Sequence, residues 1–168
     1  FDRWPLLLAL GLRPMDPGPF LRAHAAPLTA SLLERHGLAP DRATVALRGQ
    51  RADGSMLRAA LALCPRVRRL TISAPRGGER LAAAGIWPAH FTGGCPAQAA
   101  LLLQPGAEPD AADGSALCPA LTLFGPAPDL AGLRLAAPDL AQEDREALPL
   151  LSALWEGGRL TAEQLKIT

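Results

Sequence analysis

Short apolar runs alternate along the chain with stretches in which apolar residues recur at helical spacing. The apolar runs predict four strands, over residues 44–47, 70–73, 101–103 and 121–124. Helical spacing predicts a helix over 55–63 and a shorter one in "GGERLAAAGI" that ends near Gly85. Continuous apolar strands joined through helices are typical of a parallel sheet covered on both faces. The pattern therefore predicts a doubly wound, mostly parallel, three-layer α/β fold of the Rossmann-like type.

The amino-terminal part has a different pattern. Residues 1–26 combine an apolar segment, "WPLLLALGL", with a loop rich in Pro and Gly. From Pro27 onward, leucines at helical spacing predict a helix that ends at Gly37, with Pro27 either in its first turn or at a kink. We therefore expect a single domain over residues 27–168. The chain begins with Phe1 instead of Met, so a further domain before it is also consistent with the sequence.

The carboxyl-terminal half contains weaker patterns. "PAHFTG" (88–93) and "GLRLAAP" (132–138) each predict a short strand. "EDREALPLLSALWEGG" (143–158) predicts a closing helix that includes Pro149, and "LTAEQLKI" (160–167) predicts a last short turn or helix.

The turn after the first predicted strand has the spacing of a dinucleotide-binding loop. Its sequence "GQRADG" has glycine at the first and last positions of G-x-G-x-x-G, Gly49 and Gly54, and Arg51 at the middle one. The middle glycine normally lets a pyrophosphate approach the backbone. Arg51 therefore either obstructs that approach or contacts a phosphate itself through its guanidinium group.

Two neighbouring positions bear on that choice. Asp53 is predicted to cap the next helix, where its carboxylate would take the N–H groups that otherwise attract a phosphate. After the second strand, "SAPR" lacks the acid that holds the ribose hydroxyls of NAD. Arg76 in that stretch would suit a 2′-phosphate, which favours NADP over NAD, although a solvated arginine is the simpler interpretation. The candidate cofactor-binding residues are Gly49, Arg51, Gly54, Ser55 and Arg76.

Over residues 28–106 the chain resembles the NADP-binding Rossmann domain of the shikimate dehydrogenase family, in degenerate form. The resemblance rests on the helix before the first strand, the glycine turn, and "APRGGERLAAAG" in the place of that family's "N-R-T-x-x-R"-like loop. It implies that Arg76 matches the family's phosphate-contacting arginine. "QAALLLQPG" (98–106) takes the place of the family's strand that ends in "N-A-T-P".

The sequence also departs from that family. Arg51 interrupts the glycine-rich turn, and Gln104 and Pro105 replace the Asn and Thr near the nicotinamide. The family's catalytic Lys and Asp belong to a separate amino-terminal domain, whereas the one lysine here, Lys166, is near the other end. The resemblance therefore bears on the fold more than on the activity.

Charge and cysteine content exclude several classes of function. The formal net charge is +1, which provides no global basic field for nucleic acid. Cys64, Cys95 and Cys118 are an odd, sparse set and no disulfide framework, which favours a reducing cytoplasm. The apolar run over 4–12 is shorter than the roughly 20 residues that a membrane span requires. We therefore expect a cytoplasmic protein with no nucleic-acid or membrane partner.

Other candidate chemistry is sparse. Cys95 precedes Pro96 at a predicted helix start, but a nucleophile also needs a base; the nearest histidine in sequence is His90, and we expect an unreactive thiol. His24 and His36 are too far apart for a local metal pair. The sequence has no Ser nucleophile elbow and no Walker A loop. It thus predicts no catalytic residue and no metal site.

Two functions are consistent with these patterns. The first is a Rossmann-like module without catalysis and without a cofactor, which binds a protein partner, a second copy of itself or an unidentified small ligand. The alternative is the cofactor domain of an NADP-dependent oxidoreductase that lacks its catalytic domain.

Overall fold

The computed structural model describes residues 9–11, 15–83, 97–107 and 117–168. Its main sheet has four strands in the order β2-β1-β3-β4, all parallel to their neighbours. They are β1 (Thr44–Arg48), β2 (Arg69–Ser73), β3 (Ala99–Leu102) and β4 (Ala120–Thr122). The four predicted strands are present, although β3 and β4 lie one or two residues nearer the amino terminus than predicted. The α/β, Rossmann-like fold class is confirmed. The chain reverses its direction across the sheet after β2, which makes the crevice between β1 and β3 the switch point of the topology.

Alternate residues of each strand face opposite sides of the sheet. On one side, Val45, Leu47 and Leu101 belong to the large hydrophobic core and are fully buried. On the other side, Ala46 and Ala100 belong to a second, small cluster and are also buried. Burial on both faces explains why these strands are continuous apolar runs and do not alternate with polar residues.

Three helices pack against one another along the face of the large core. They are α1 (Gly18–Ala23), α2 (Ala25–Arg35) and α3 (Gly54–Leu63). The predicted end of α2 is confirmed, since Gly37 has a left-handed φ of 74° just beyond it. Pro27 is the third residue of α2 and lies in its first turn, one of the two predicted placements.

Helix α1 lies where the sequence predicted part of a loop. Its start tolerates Pro19 because the first turn of a helix needs no N–H donor there. The Asp16 carboxylate accepts a hydrogen bond from the Gly18 amide at 2.9 Å, which satisfies one of the free donors. Phe20 and Leu21 are completely buried, so this helix is part of the core.

The carboxyl-terminal segment forms a second, separate sheet. Strands β5 (Leu135–Ala136) and β6 (Lys166–Ile167) pair in antiparallel fashion, after a 3-10 helix over Ala162–Gln164. The strand predicted in "GLRLAAP" is confirmed. The short turn or helix predicted in "LTAEQLKI" is correct for Ala162–Gln164 and wrong for Lys166–Ile167, which form a strand. This two-stranded sheet packs on α2.

The closing helix is shorter than predicted. Helix α5 (Leu148–Glu156) begins at Leu148, with residues 143–146 in turns and Ala147 extended. Pro149 explains this, since a proline fits the first helical turn but not the interior, where its ring would clash with the preceding turn.

Several predictions fall partly or wholly outside the described residues. Helix α4 (Gly78–Ala83) is present, but its predicted end near Gly85 lies outside them, as do the strand predicted over 88–93 and Cys95. Within the described ranges, no helix is long and apolar enough to cross a membrane.

Candidate functional site

The five residues predicted to bind a cofactor converge at the carboxyl ends of β1 and β2. The parallel register of the two strands continues into their loops, where the backbones of Arg51 and Arg76 form an isolated bridge. The Ala52 amide donates to the Arg76 carbonyl at 2.8 Å. Gly49 is buried and directly follows β1, and Gly54 and Ser55 are the first two residues of α3.

Asp53 caps α3 as predicted. Its backbone is extended (φ −94°, ψ −178°), and its Oδ1 accepts a hydrogen bond from the Met56 amide at 2.9 Å. This bond satisfies one of the donors at the helix N-terminus. A carboxylate thus already lies at the position where a dinucleotide-binding domain has its phosphate.

Gln104 makes the contact that the sequence did not predict. It follows β3 by two residues and reaches across the crevice between β1 and β3 into the turn. Its Oε1 accepts hydrogen bonds from the Gln50 amide (3.0 Å) and the Arg51 amide (2.9 Å). Its Nε2 donates to the Arg51 carbonyl (2.8 Å) and to Asp53 Oδ2 (2.9 Å). We call these four hydrogen bonds the Gln104 bridge.

The Gln104 bridge uses the full capacity of the side-chain amide. A primary amide offers two N–H donors and one carbonyl oxygen that can accept two bonds, and all four are engaged here. The bridge is local in space but joins residues more than fifty positions apart in sequence. It therefore ties the loop after β3 to the loop after β1.

The remaining amides of the turn are also engaged. The Gly49 amide donates to the Ser73 carbonyl at 3.0 Å, and the Asp53 amide donates to the Arg51 carbonyl at 3.0 Å. Together with the bonds of Gln50, Arg51 and Ala52, every backbone N–H from 49 to 53 has an acceptor within the protein. A pyrophosphate would have to displace these bonds before it could reach the turn. Between Gly49 and Leu57, only the amides of Gly54 and Ser55 have no acceptor among the described residues.

We call residues 49–54 the closed turn, and its two glycines differ in how tightly they are packed. A Cβ on Gly49 would lie 2.5 Å from Met56 Cε and 3.2 Å from Gln104 Oε1, so glycine there allows close packing under the turn. A Cβ on Gly54 would meet only the end of the Arg58 side chain, at 3.4 Å. The last glycine of the motif therefore has no packing role of the kind that the fingerprint requires.

The two arginines of the site extend their side chains into solvent. Arg51 and Arg76 are both exposed. In the part of the chain that the structure describes, neither guanidinium group has a hydrogen-bond or ion-pair partner. Gln104 makes two hydrogen bonds with the backbone of Arg51. A phosphate that enters the turn would therefore meet the Gln104 side chain as well as Arg51.

Within the described residues, His24 and His36 each bond to a backbone carbonyl one helical turn earlier. His24 is buried, donates from Nδ1 to the Phe20 carbonyl at 2.7 Å, and packs its ring beside those of Phe20 and Trp155. His36 donates from Nδ1 to the Leu32 carbonyl at 2.9 Å. The described residues contain no group of three or more His, Cys, Asp or Glu side chains that could hold a metal ion.

Comparisons of this chain with protein-family models, with curated proteins and with solved structures gave no match. The resemblance to the shikimate dehydrogenase family stays a prediction from the residues quoted above.

Proposed function

We propose that this chain is a non-catalytic α/β binding or interaction module in which the turn of a dinucleotide-binding frame has become a closed structural turn. The observation that carries the proposal is the Gln104 bridge, which occupies the Gln50 and Arg51 amides at the switch point of the sheet. Ligands of doubly wound folds bind in that crevice, and here a side chain of the protein crosses it.

Approximate energies support weak dinucleotide binding. Removing the four hydrogen bonds of the Gln104 bridge costs roughly 2–6 kcal/mol, at about 0.5–1.5 kcal/mol for each bond. Two new N–H bonds to a charged phosphate contribute roughly 3–6 kcal/mol. Because the two sums nearly cancel, little free energy remains to offset the loss of translational and rotational freedom on binding. We expect NADPH to bind more weakly than about 1 mM.

The partners of such a module follow from charge and cysteine content. A net charge of +1 gives no field that would attract nucleic acid. We infer a protein partner, a second copy of the chain or a small ligand, in the reducing conditions of the cytoplasm. Cys64 is a free, exposed thiol, and such thiols persist in a reducing compartment.

A second candidate is the cofactor domain of an NADP-dependent oxidoreductase. The observation that favours it is the backbone bridge between Arg51 and Arg76, which brings two exposed arginines to the same edge of the sheet. Guanidinium groups bind phosphates in bidentate fashion. The same arginines would then hold the phosphates of NADP from outside the closed turn.

Titration calorimetry with NADPH tests both candidates. We expect no measurable binding to the wild-type protein and at least tenfold stronger binding to Gln104→Ala, because the Gln50 and Arg51 amides become available. Gln98→Ala is the matched control, since Gln98 lies at the other end of the same strands and its Oε1 accepts from the Thr44 amide at 2.8 Å. Gln98→Ala loses a similar bond but does not open the turn, so it should not bind NADPH.

Other outcomes of that titration would favour the oxidoreductase domain. Tight binding of NADPH to the wild-type protein, lost in Arg51→Ala and in Arg76→Ala, would contradict the module and support the second candidate. If Arg51 instead only obstructs the turn, Arg51→Gly combined with Asp53→Ala should improve binding.

A further inference from the structure

A groove on the helical layer formed by α1, α2 and α3 borders the closed turn at Ser55, and its other lining residues lie outside that turn. It lies between the corner that joins α1 to α2 and the outward face of α3, and has a volume of about 490 Å³. We call it the helical groove. Small side chains form its floor, among them Ala26 and Ala59, which are almost completely buried. Clefts that hold small molecules usually have volumes of roughly 300–1,000 Å³ and mostly apolar linings, so the helical groove has suitable dimensions and surface.

One wall of the helical groove is an aromatic ring held in place by the core. Trp155 of α5 lines the groove. Its ring packs against Phe20, with ring centroids 5.8 Å apart, and Phe20 is itself fully buried. The ring of His24 lies against both. The wall is therefore preorganised, which lowers the entropic cost of binding against it.

The charges that line the helical groove have one sign. Arg22 of α1 and Arg58 of α3 both line it, and its described lining includes no acidic residue. Arg22 donates from Nη1 to the Leu123 carbonyl at 2.9 Å, which fixes the guanidinium group and leaves its other N–H groups without an acceptor among the described residues. Arg58 is exposed and has no partner within the described ranges. The hydroxyl of Ser55 lies on the same face of α3 and adds a neutral hydrogen-bonding group.

We propose that the helical groove binds an amphipathic anion. Its apolar body would lie on the alanine floor and against Trp155, and its single acidic group, a carboxylate or a phosphate monoester, would pair with Arg58 and Arg22. A neutral apolar molecule would cover the floor but desolvate the guanidinium groups without compensation. A bare anion would pair with the arginines but leave the apolar floor in water. The proposal does not depend on whether the closed turn binds NADPH.

Two fluorescent probes with a common aromatic body test the proposal. Anilinonaphthalene sulfonate carries an acidic group in place of the carboxylate or phosphate, whereas phenylnaphthylamine is its neutral counterpart. We expect the sulfonate to bind the folded protein at least tenfold more tightly than the neutral probe, because a charge-assisted hydrogen bond to arginine contributes that much. Octanoate or octyl phosphate should displace the sulfonate, and inorganic phosphate at the same concentration should not.

Substitutions then locate the binding to the helical groove. Arg58→Gln should weaken sulfonate binding about tenfold and leave the neutral probe unchanged. Arg42→Gln is the matched control, since Arg42 is an exposed arginine in the 3-10 helix Pro40–Arg42 and does not line the groove. Ala62→Leu places a larger side chain at an exposed position of the groove and should weaken both probes. Unchanged thermal unfolding of each variant shows that a loss of binding is not a loss of folding.

Three results would overturn the proposal. The first is equal affinity for the charged and neutral probes. The second is sulfonate binding that is the same in wild type, Arg58→Gln and Ala62→Leu. The third is displacement of the sulfonate by inorganic phosphate and not by octanoate or octyl phosphate, which would indicate a simple anion site.

Discussion

At the scale of single residues, Gly49, Gly77 and Gln104 determine the backbone conformation of the candidate site. The spacing of Gly49 and Gly54 in the sequence predicts the same kind of role for both, but the space around the two residues differs. Gly77, which the motif does not include, is more constrained than Gly54: its φ is +81°, and a Cβ there would lie 2.9 Å from the Ala52 carbonyl oxygen. The close approach of the loops after β1 and β2 therefore depends on Gly77.

Alanine substitutions at Gly54 and Gly77 should have opposite effects on stability. Gly54→Ala adds a Cβ that fits in the first turn of α3, and we expect it to stabilise the protein by about 0.4–1 kcal/mol. Gly77→Ala forces a left-handed backbone on alanine and a contact with the Ala52 backbone, and should destabilise by at least about 1–2 kcal/mol. Urea unfolding measures both, and similar effects of the two substitutions would contradict the described geometry.

At the scale of elements, the positions of the strands could be predicted because a buried parallel strand is a short, continuous apolar run. β1 and β2 agree with the predicted bounds to within one residue, since both faces of the sheet are buried. The helix α1 and the start of α5 were not predicted, because each depends on where a proline falls within the first helical turn. The Gln104 bridge could not be predicted either. It requires the pairing of β3 beside β1, which is a long-range property, although a polar residue just beyond a strand at the switch point is the signal to look for.

The cap of α3 should contribute measurably to stability. Asp53→Ala removes the bond to the Met56 amide and one bond of the Gln104 bridge, and we expect a loss of about 1–2 kcal/mol. Asp41→Ala is the control, because Asp41 is an exposed aspartate in a 3-10 helix and should change stability by less than about 0.5 kcal/mol. Equal effects of the two substitutions in urea unfolding would show that Asp53 does not cap α3.

At the scale of the whole molecule, the carboxyl-terminal segment packs against the main core. Strand β6 packs on α2, and backbone bonds in both directions connect Arg134 with Thr168. Leu160 is buried and belongs to the same core cluster as the residues of β1. The two sheets should therefore unfold in one cooperative transition, as small domains generally do.

Leucine truncations test that cooperativity. Leu160→Ala should lower the free energy of unfolding by about 2–3 kcal/mol and shift the single transition as a whole. Leu61→Ala removes the same atoms from an exposed position on α3, where the side chain is 51% exposed, and should cost less than about 1 kcal/mol. A separate early transition that is affected only by Leu160→Ala would mean that the carboxyl-terminal segment is not part of the main unit.

The Gln104 bridge is tested most directly by amide hydrogen exchange at single residues, followed by NMR. In the wild-type protein we expect slow exchange at Gln50, Arg51 and Ala52, because each amide has an acceptor. In Gln104→Ala, exchange at Gln50 and Arg51 should accelerate about tenfold or more, whereas Ala52, which donates to the Arg76 carbonyl, should keep its protection. Unprotected exchange at Gln50 and Arg51 in the wild-type protein, or rates that Gln104→Ala leaves unchanged, would contradict the closed turn.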